Sequence, residues 1–152
     1  MGECVAAICI ALFANSGETY SNHQKIACQS ITRSAMEAGL SGPGVASLAW
    51  HESRFIHSAK SSAGAIGALQ VLPRYWCKNG KRAGCNLVDA GLRAYEYYMK
   101  HSRTFRDGIC KYNSGRACSR SKSVSRYAVK VERLMNIIKE AIAFSACSED
   151  GC

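Results

Sequence analysis

Apolar residues recur three and four positions apart along most of the chain, the spacing of one face of an α-helix, and no segment alternates convincingly with period two. Ala27, Ile31, Ala35 and Ala38 form one stripe, and Gly39 stands where a helix commonly ends in a left-handed residue. Ser41-Gly42-Pro43 predicts the start of a second helix, because proline in the first turn forfeits no intrahelical hydrogen bond. Its inward positions read Val45, Leu48, Ala49, Glu52 and Phe55. Leu87, Ala90, Ala94 and Tyr98 mark a third helix. A long last one begins near Ser123, with the stripe Val124, Tyr127, Val131, Leu134, Ile138 and Ile142. Asn-Gly in Lys78-Asn79-Gly80-Lys81 is a turn signal and leaves room for one small β-hairpin. The expected class is mainly α, in one domain.

The N-terminus breaks the periodicity. Cys4 to Ala14 is an unbroken apolar run of eleven residues, followed by polar Asn15-Ser16-Gly17-Glu18-Thr19. A run of that length is too short for a membrane span and suits the core of a signal peptide. Glu3 stands where such a peptide is basic, so the alternatives are a buried N-terminal helix or a weak membrane-tethering segment.

Nine cysteines bear on the compartment. Cys77 with Cys85 and Cys110 with Cys118 share one spacing, each pair enclosing seven residues. No Cys-x-x-Cys occurs, which removes support for zinc knuckles and thioredoxin-like chemistry. Disulfides closing short loops in an oxidising compartment fit better, with connectivity left open and the odd count leaving one thiol over. Loss of the first segment near Ala14 would take Cys4 and Cys9 with it.

The chain has 152 residues, 47% hydrophobic and 20% charged, which suits one folded domain and argues against disorder. The formal net charge of +9 points to an anionic partner: nucleic acid, a membrane surface or acidic cell-envelope polymers. Its basic residues are spread along the chain, in a loose group from Arg74 to Arg82 and another from Lys100 to Arg126. Charge alone does not choose among these partners.

Glu52 does more. A carboxyl group on a core-facing stripe is desolvated, which raises its pKa toward the range of a general acid. The bland alternative is a glutamate that ends a helix and points to solvent. The segment Ser61 to Pro73 follows, with Gly64 and Gly67 permitting close backbone approach and Gln70 offering both a donor and an acceptor. Tyr112-Asn113-Ser114-Gly115 adds a hydroxyl and an amide near a turn. Tyr127 lies on the stripe of the final helix, where core packing with a buried hydroxyl is the default. No metal-ligand set and no Gly-x-Ser-x-Gly nucleophile motif appears, so neither metal nor cofactor is expected.

Together these residues resemble the catalytic domain of the soluble lytic transglycosylases, a branch of the lysozyme-like superfamily. Glu52-Ser53-x-Phe55 is similar to the family's Glu-Ser motif, and Ser61-x-x-Gly64-Ala65-x-Gly67-x-x-Gln70-x-x-Pro73 to its Gly-Leu-Met-Gln segment. Tyr112-Asn113-x-Gly115 is similar to its Ala-Tyr-Asn-Ala-Gly motif, and Tyr127 falls where a later helix of the family carries a tyrosine. Each motif is common alone; three in this order are specific. The resemblance spans residues 24 to 135, with Ala68, Lys111, Ile56-His57 and Ser123-Val124 departing from the usual residues.

The resemblance implies a lysozyme-like fold for residues 21–146, after an N-terminal segment 1–20 and before a tail 147–152. It implies cleavage of the bond between N-acetylmuramic acid and N-acetylglucosamine in peptidoglycan. Glu52 would be the lone catalytic group, and Ser61, Gly67, Gln70, Tyr112, Asn113 and Tyr127 would bind substrate. The expected setting is periplasmic or secreted, or delivery to the periplasm by a phage, as a lysis or virion enzyme or a wall-opening part of a secretion or conjugation apparatus. The expected form is a monomer with no stable membrane span and no nucleic-acid partner. Three alternatives stand beside it: a hydrolytic muramidase on the same scaffold, an inactive wall-binding protein, and a basic helical module that binds nucleic acid.

Overall fold

The computed structural model describes residues 1–145, and the expected tail 147–152 lies outside the described residues. The domain is mainly α, with seven α-helices among the described residues: α1 Gly2–Asn15, α2 Asn22–Glu37, α3 Gly42–Ser53, α4 Pro73–Trp76, α5 Leu87–Lys100, α6 Phe105–Ser114 and α7 Lys122–Ile142. None of them is long and apolar enough to cross a membrane.

Helix α3 is the axis. Every residue from Gly42 to Trp50 is buried, polar Ser47 included, so the helix is enclosed on all sides, as a central helix must be. It starts where Ser41 accepts a hydrogen bond from the Gly44 amide at 3.1 Å and Pro43 occupies the first turn. Helices α1, α2 and α7 pack around it, and α6 bridges α5 to α7. Helix α2 opens with a capping box in which Ser21 and Gln24 satisfy one another's backbone amides. The α7 stripe buries Val131, Leu134, Ile138 and Ile142 as its spacing predicts, with Val124 and Tyr127 half-buried against the core.

The N-terminal apolar run packs as a buried helix, one of the roles its composition allows. As α1 it buries Val5, Ile8, Leu12 and Phe13, and the Cys9–Cys28 disulfide ties it to α2. Phe13 meets the Trp50 and Phe55 rings edge-on, at 5.8 and 6.1 Å between centroids. The segment read as a signal-peptide core is therefore part of the hydrophobic core around α3.

Two other expectations change. No hairpin forms at Lys78–Lys81: Lys78–Gly80 is a single 3-10 turn with Asn79 left-handed, inside the loop closed by Cys77–Cys85. The residues flanking Asn-Gly are lysines and an arginine, with no apolar face to pair. What antiparallel pairing the described residues have lies elsewhere, in isolated bridges of Ile66 to Lys60 and to Val71. The second change is α6, an added helix that Thr104 caps and left-handed Gly115 ends. A third disulfide, Cys110–Cys118, links α6 to the turn before α7, so both equal-spacing pairs are bonded and no described cysteine is a free thiol.

Candidate active site

Glu52 sits in the last turn of α3, where the chain leaves the core. Arg54 and Phe55 follow it in the left-handed region, at φ 57° and 61°, and fold the chain sharply away. Outside interactions hold this costly turn. Gln24 donates to the Arg54 carbonyl at 2.9 Å, and Glu18 takes both ends of the Arg54 guanidinium at 2.7 and 2.9 Å. Ser53 then anchors the next segment, donating to the Ala68 carbonyl at 2.7 Å.

That segment is a tight double turn. Gly67 has φ +82°, and a Cβ there would stand 3.1 Å from Leu87, so glycine is required twice over. Behind it, Gly91 of α5 lets Leu69 approach to where a Cβ would meet it at 2.5 Å. Gln70 is itself left-handed at φ 48°, and its amide nitrogen donates to the Ala59 and Gly67 carbonyls at 3.2 and 2.9 Å. Two carbonyl partners fix which end of the amide is nitrogen, and the side-chain oxygen remains as the acceptor for a ligand. The Tyr112 hydroxyl of α6 donates to the Leu69 carbonyl at 2.5 Å and clamps the segment from the far side.

Glu52, Ser61, Gln70, Tyr112 and Asn113 all line one open cavity of about 530 Å³. Gly67 and Tyr127 stand outside its lining. Gly67 shapes the turn from behind, because its packing against Leu87 faces α5. Tyr127 reaches Glu52 from α7, its hydroxyl donating to the carboxylate Oε1 at 2.5 Å. It holds the acid. Sequence reading also missed Trp76 and Tyr98 in the lining; the α5 stripe marked Tyr98, but as a core residue.

Burial pushes the Glu52 carboxyl up to about 7. The Tyr127 hydroxyl opposes this by favouring the charged form, and the Asn113 side chain adds a smaller pull the same way. Desolvation also lowers the pKa of His51, whose Nδ1 donates to the Ser47 carbonyl at 2.8 Å and whose ring meets Tyr127 edge-on. Glu52 is thus a half-buried acid poised between its two protonation states near neutrality.

Among the described residues lining the cavity, Glu52 is the only carboxylate. Asp89, Glu96 and Asp107 are spent in ion pairs with the residue four positions on, Arg93, Lys100 and Lys111. This arrangement can deliver a proton to a polar ligand and take one back at the same atom. It offers no partner acid across the cavity. No family model, curated protein or solved structure matches the chain.

The Tyr127 contact makes a prediction. Tyr127→Phe removes the group that favours ionised Glu52, so the carboxyl pKa rises further, by about one unit. Titration of the Glu52 carboxyl in the two proteins checks this, and an unmoved pKa would show that the hydroxyl does not govern the acid.

Proposed function

We propose that this chain is a peptidoglycan lytic transglycosylase acting through Glu52 alone. The observation that carries the reading is one raised-pKa carboxyl group at the cavity, held by Tyr127 and Asn113, with no second carboxylate in the described lining. In the proposed reaction Glu52 gives its proton to the oxygen between N-acetylmuramic acid and N-acetylglucosamine, and the C1–O bond breaks. The carboxylate, now charged, takes the proton of the muramic 6-hydroxyl, whose oxygen bonds to C1 and closes a 1,6-anhydro ring. Glu52 ends protonated, as it began. A carboxyl group with pKa near the working pH suits both halves. A stronger acid would already be ionised before the first step and would leave too weak a base for the second, while a weaker one would hold its proton too firmly to give it.

A hydrolytic muramidase would need a second carboxylate to activate water or trap the sugar, commonly about 5 to 9 Å from the first. The described lining supplies none, so the lyase reading is preferred. Gln70 contributes its carbonyl oxygen as acceptor for an N–H or hydroxyl of the sugar, and Trp76 and Tyr98 contribute flat faces for its apolar side. The three disulfides among the described residues support maturation in an oxidising compartment, where cell wall is also found. Mass analysis of the soluble fragments from purified wall tests the proposal. Anhydro ends are expected; reducing ends, or no soluble fragments, would overturn it.

A further inference from the structure

The cavity has one cation in its described lining, Arg74, and the catalytic scheme does not use it. Arg54, Arg93 and Arg106 are each paired with a carboxylate, but Arg74 has no ion pair among the described residues. Its guanidinium instead lies over the Tyr75 ring, 4.8 Å from the centroid. Both residues stand on α4, which is short but firmly seated. Arg93 donates to the Trp76 carbonyl at 2.9 Å, the Trp76 ring packs on Tyr97 and Tyr98, and Cys77 is bonded to Cys85 directly after the helix. Ring contacts run along the cavity from Tyr112 to Tyr98 at 6.1 Å and on to Trp76 of α4 at 5.9 Å.

We propose that Arg74, steadied on Tyr75, is the subsite for a carboxylate carried by the glycan, at the end of the aromatic wall that begins beside Glu52. The planar guanidinium fork matches a carboxylate in two parallel hydrogen bonds, which a lysine cannot reproduce. A neutral chitin-like strand gives it nothing to bind. The inference rests on the glycan-cleaving reading above and narrows it to strands bearing acidic groups. Two sources offer that chemistry: the carboxylates of a stem peptide, and the free lactyl carboxylate of a muramic sugar stripped of its peptide.

The test measures binding to Glu52→Gln, which leaves the ligands uncut, with and without Arg74→Gln. The ligands are peptide-bearing strands, amidase-stripped strands and neutral N-acetylglucosamine oligomers. Loss of Arg74 is expected to weaken one of the two acidic ligands about tenfold, the scale of one charge-assisted contact in a partly open site, and to leave the neutral oligomer unchanged. Whichever acidic ligand responds identifies the source, and Arg74→Lys should recover part of the loss. In the active enzyme the effect should fall on KM, with the pH profile unmoved, because burial, Tyr127 and Asn113 set the Glu52 pKa. Equal weakening of all three ligands, weakening of none, or no measurable binding would overturn the subsite. If wild type cleaves no strand yet the Arg74-dependent preference persists, the lyase reading fails and the subsite stands.

Discussion

Glu52→Gln is expected to lower wall cleavage by about a thousandfold or more, the upper range for losing a general acid, because in the proposed reaction the same group serves both proton transfers. Clearing of a wall-containing gel and release of soluble fragments both read this loss. The protein should nonetheless fold, since the glutamine carbonyl can still accept from Tyr127. It should even be more stable above neutral pH. The folded carboxyl group titrates at about 7 against a reference of 4.5, so between those values the native state keeps a proton that the unfolded chain has lost. Stability of the wild type therefore falls as pH rises through that window, and the full cost above it is on the order of 3 kcal/mol. Glutamine does not titrate. The variant's advantage in melting temperature should be greatest at pH 8 and shrink as the pH falls toward 4.5. A constant difference at all pH values would mean that Glu52 is not desolvated. The same titration predicts that wild-type cleavage declines about tenfold per pH unit above 7, where the acid is lost.

Deletion of residues 1–15 is expected to abolish cooperative folding. It removes four large buried side chains, Val5, Ile8, Leu12 and Phe13, each worth roughly 2 kcal/mol, and the Cys9–Cys28 cross-link, worth about 3 kcal/mol. Together these amount to on the order of 10 kcal/mol, comparable with the whole stability of a typical domain. It also uncovers Trp50 and Phe55, which flank Glu52 and meet the Phe13 ring in the core. Thermal unfolding followed by circular dichroism decides this. A sharp transition in the shortened chain, with cleavage intact, would restore the segment to the role of a dispensable leader.

The sequence could not separate these two roles for α1. A leader's core and a buried helix are both apolar runs of about this length, and only the bond to Cys28 and the packing of Phe13 distinguish them. Helices α2, α3, α5 and α7 were legible because stripe and stop signals agree, as with Ser41 and Pro43 before α3 and Gly39 after α2. Helix α6 was not, because in Phe105–Ser114 only Gly108, Ile109 and Cys110 are fully buried, with Phe105 and Tyr112 packed partly against the core among polar residues; its cap Thr104 and its stop Gly115 were the signals available. Glu52 could be found because it interrupts an apolar stripe. Its partner Tyr127 lies 75 residues away, and no local pattern reveals which way a half-buried tyrosine turns its hydroxyl. Gly67 was legible as a glycine that permits close approach, but the loop its positive φ shapes, which presents Gln70, was not.

In the proposed reaction one carboxyl group cleaves the strand without water. Digestion of purified wall in heavy-oxygen water reads this at the products. Fragments lighter by one water than hydrolysis products, carrying no solvent oxygen at the new ends, are expected. Solvent oxygen incorporated at those ends during cleavage would overturn the single-acid reaction.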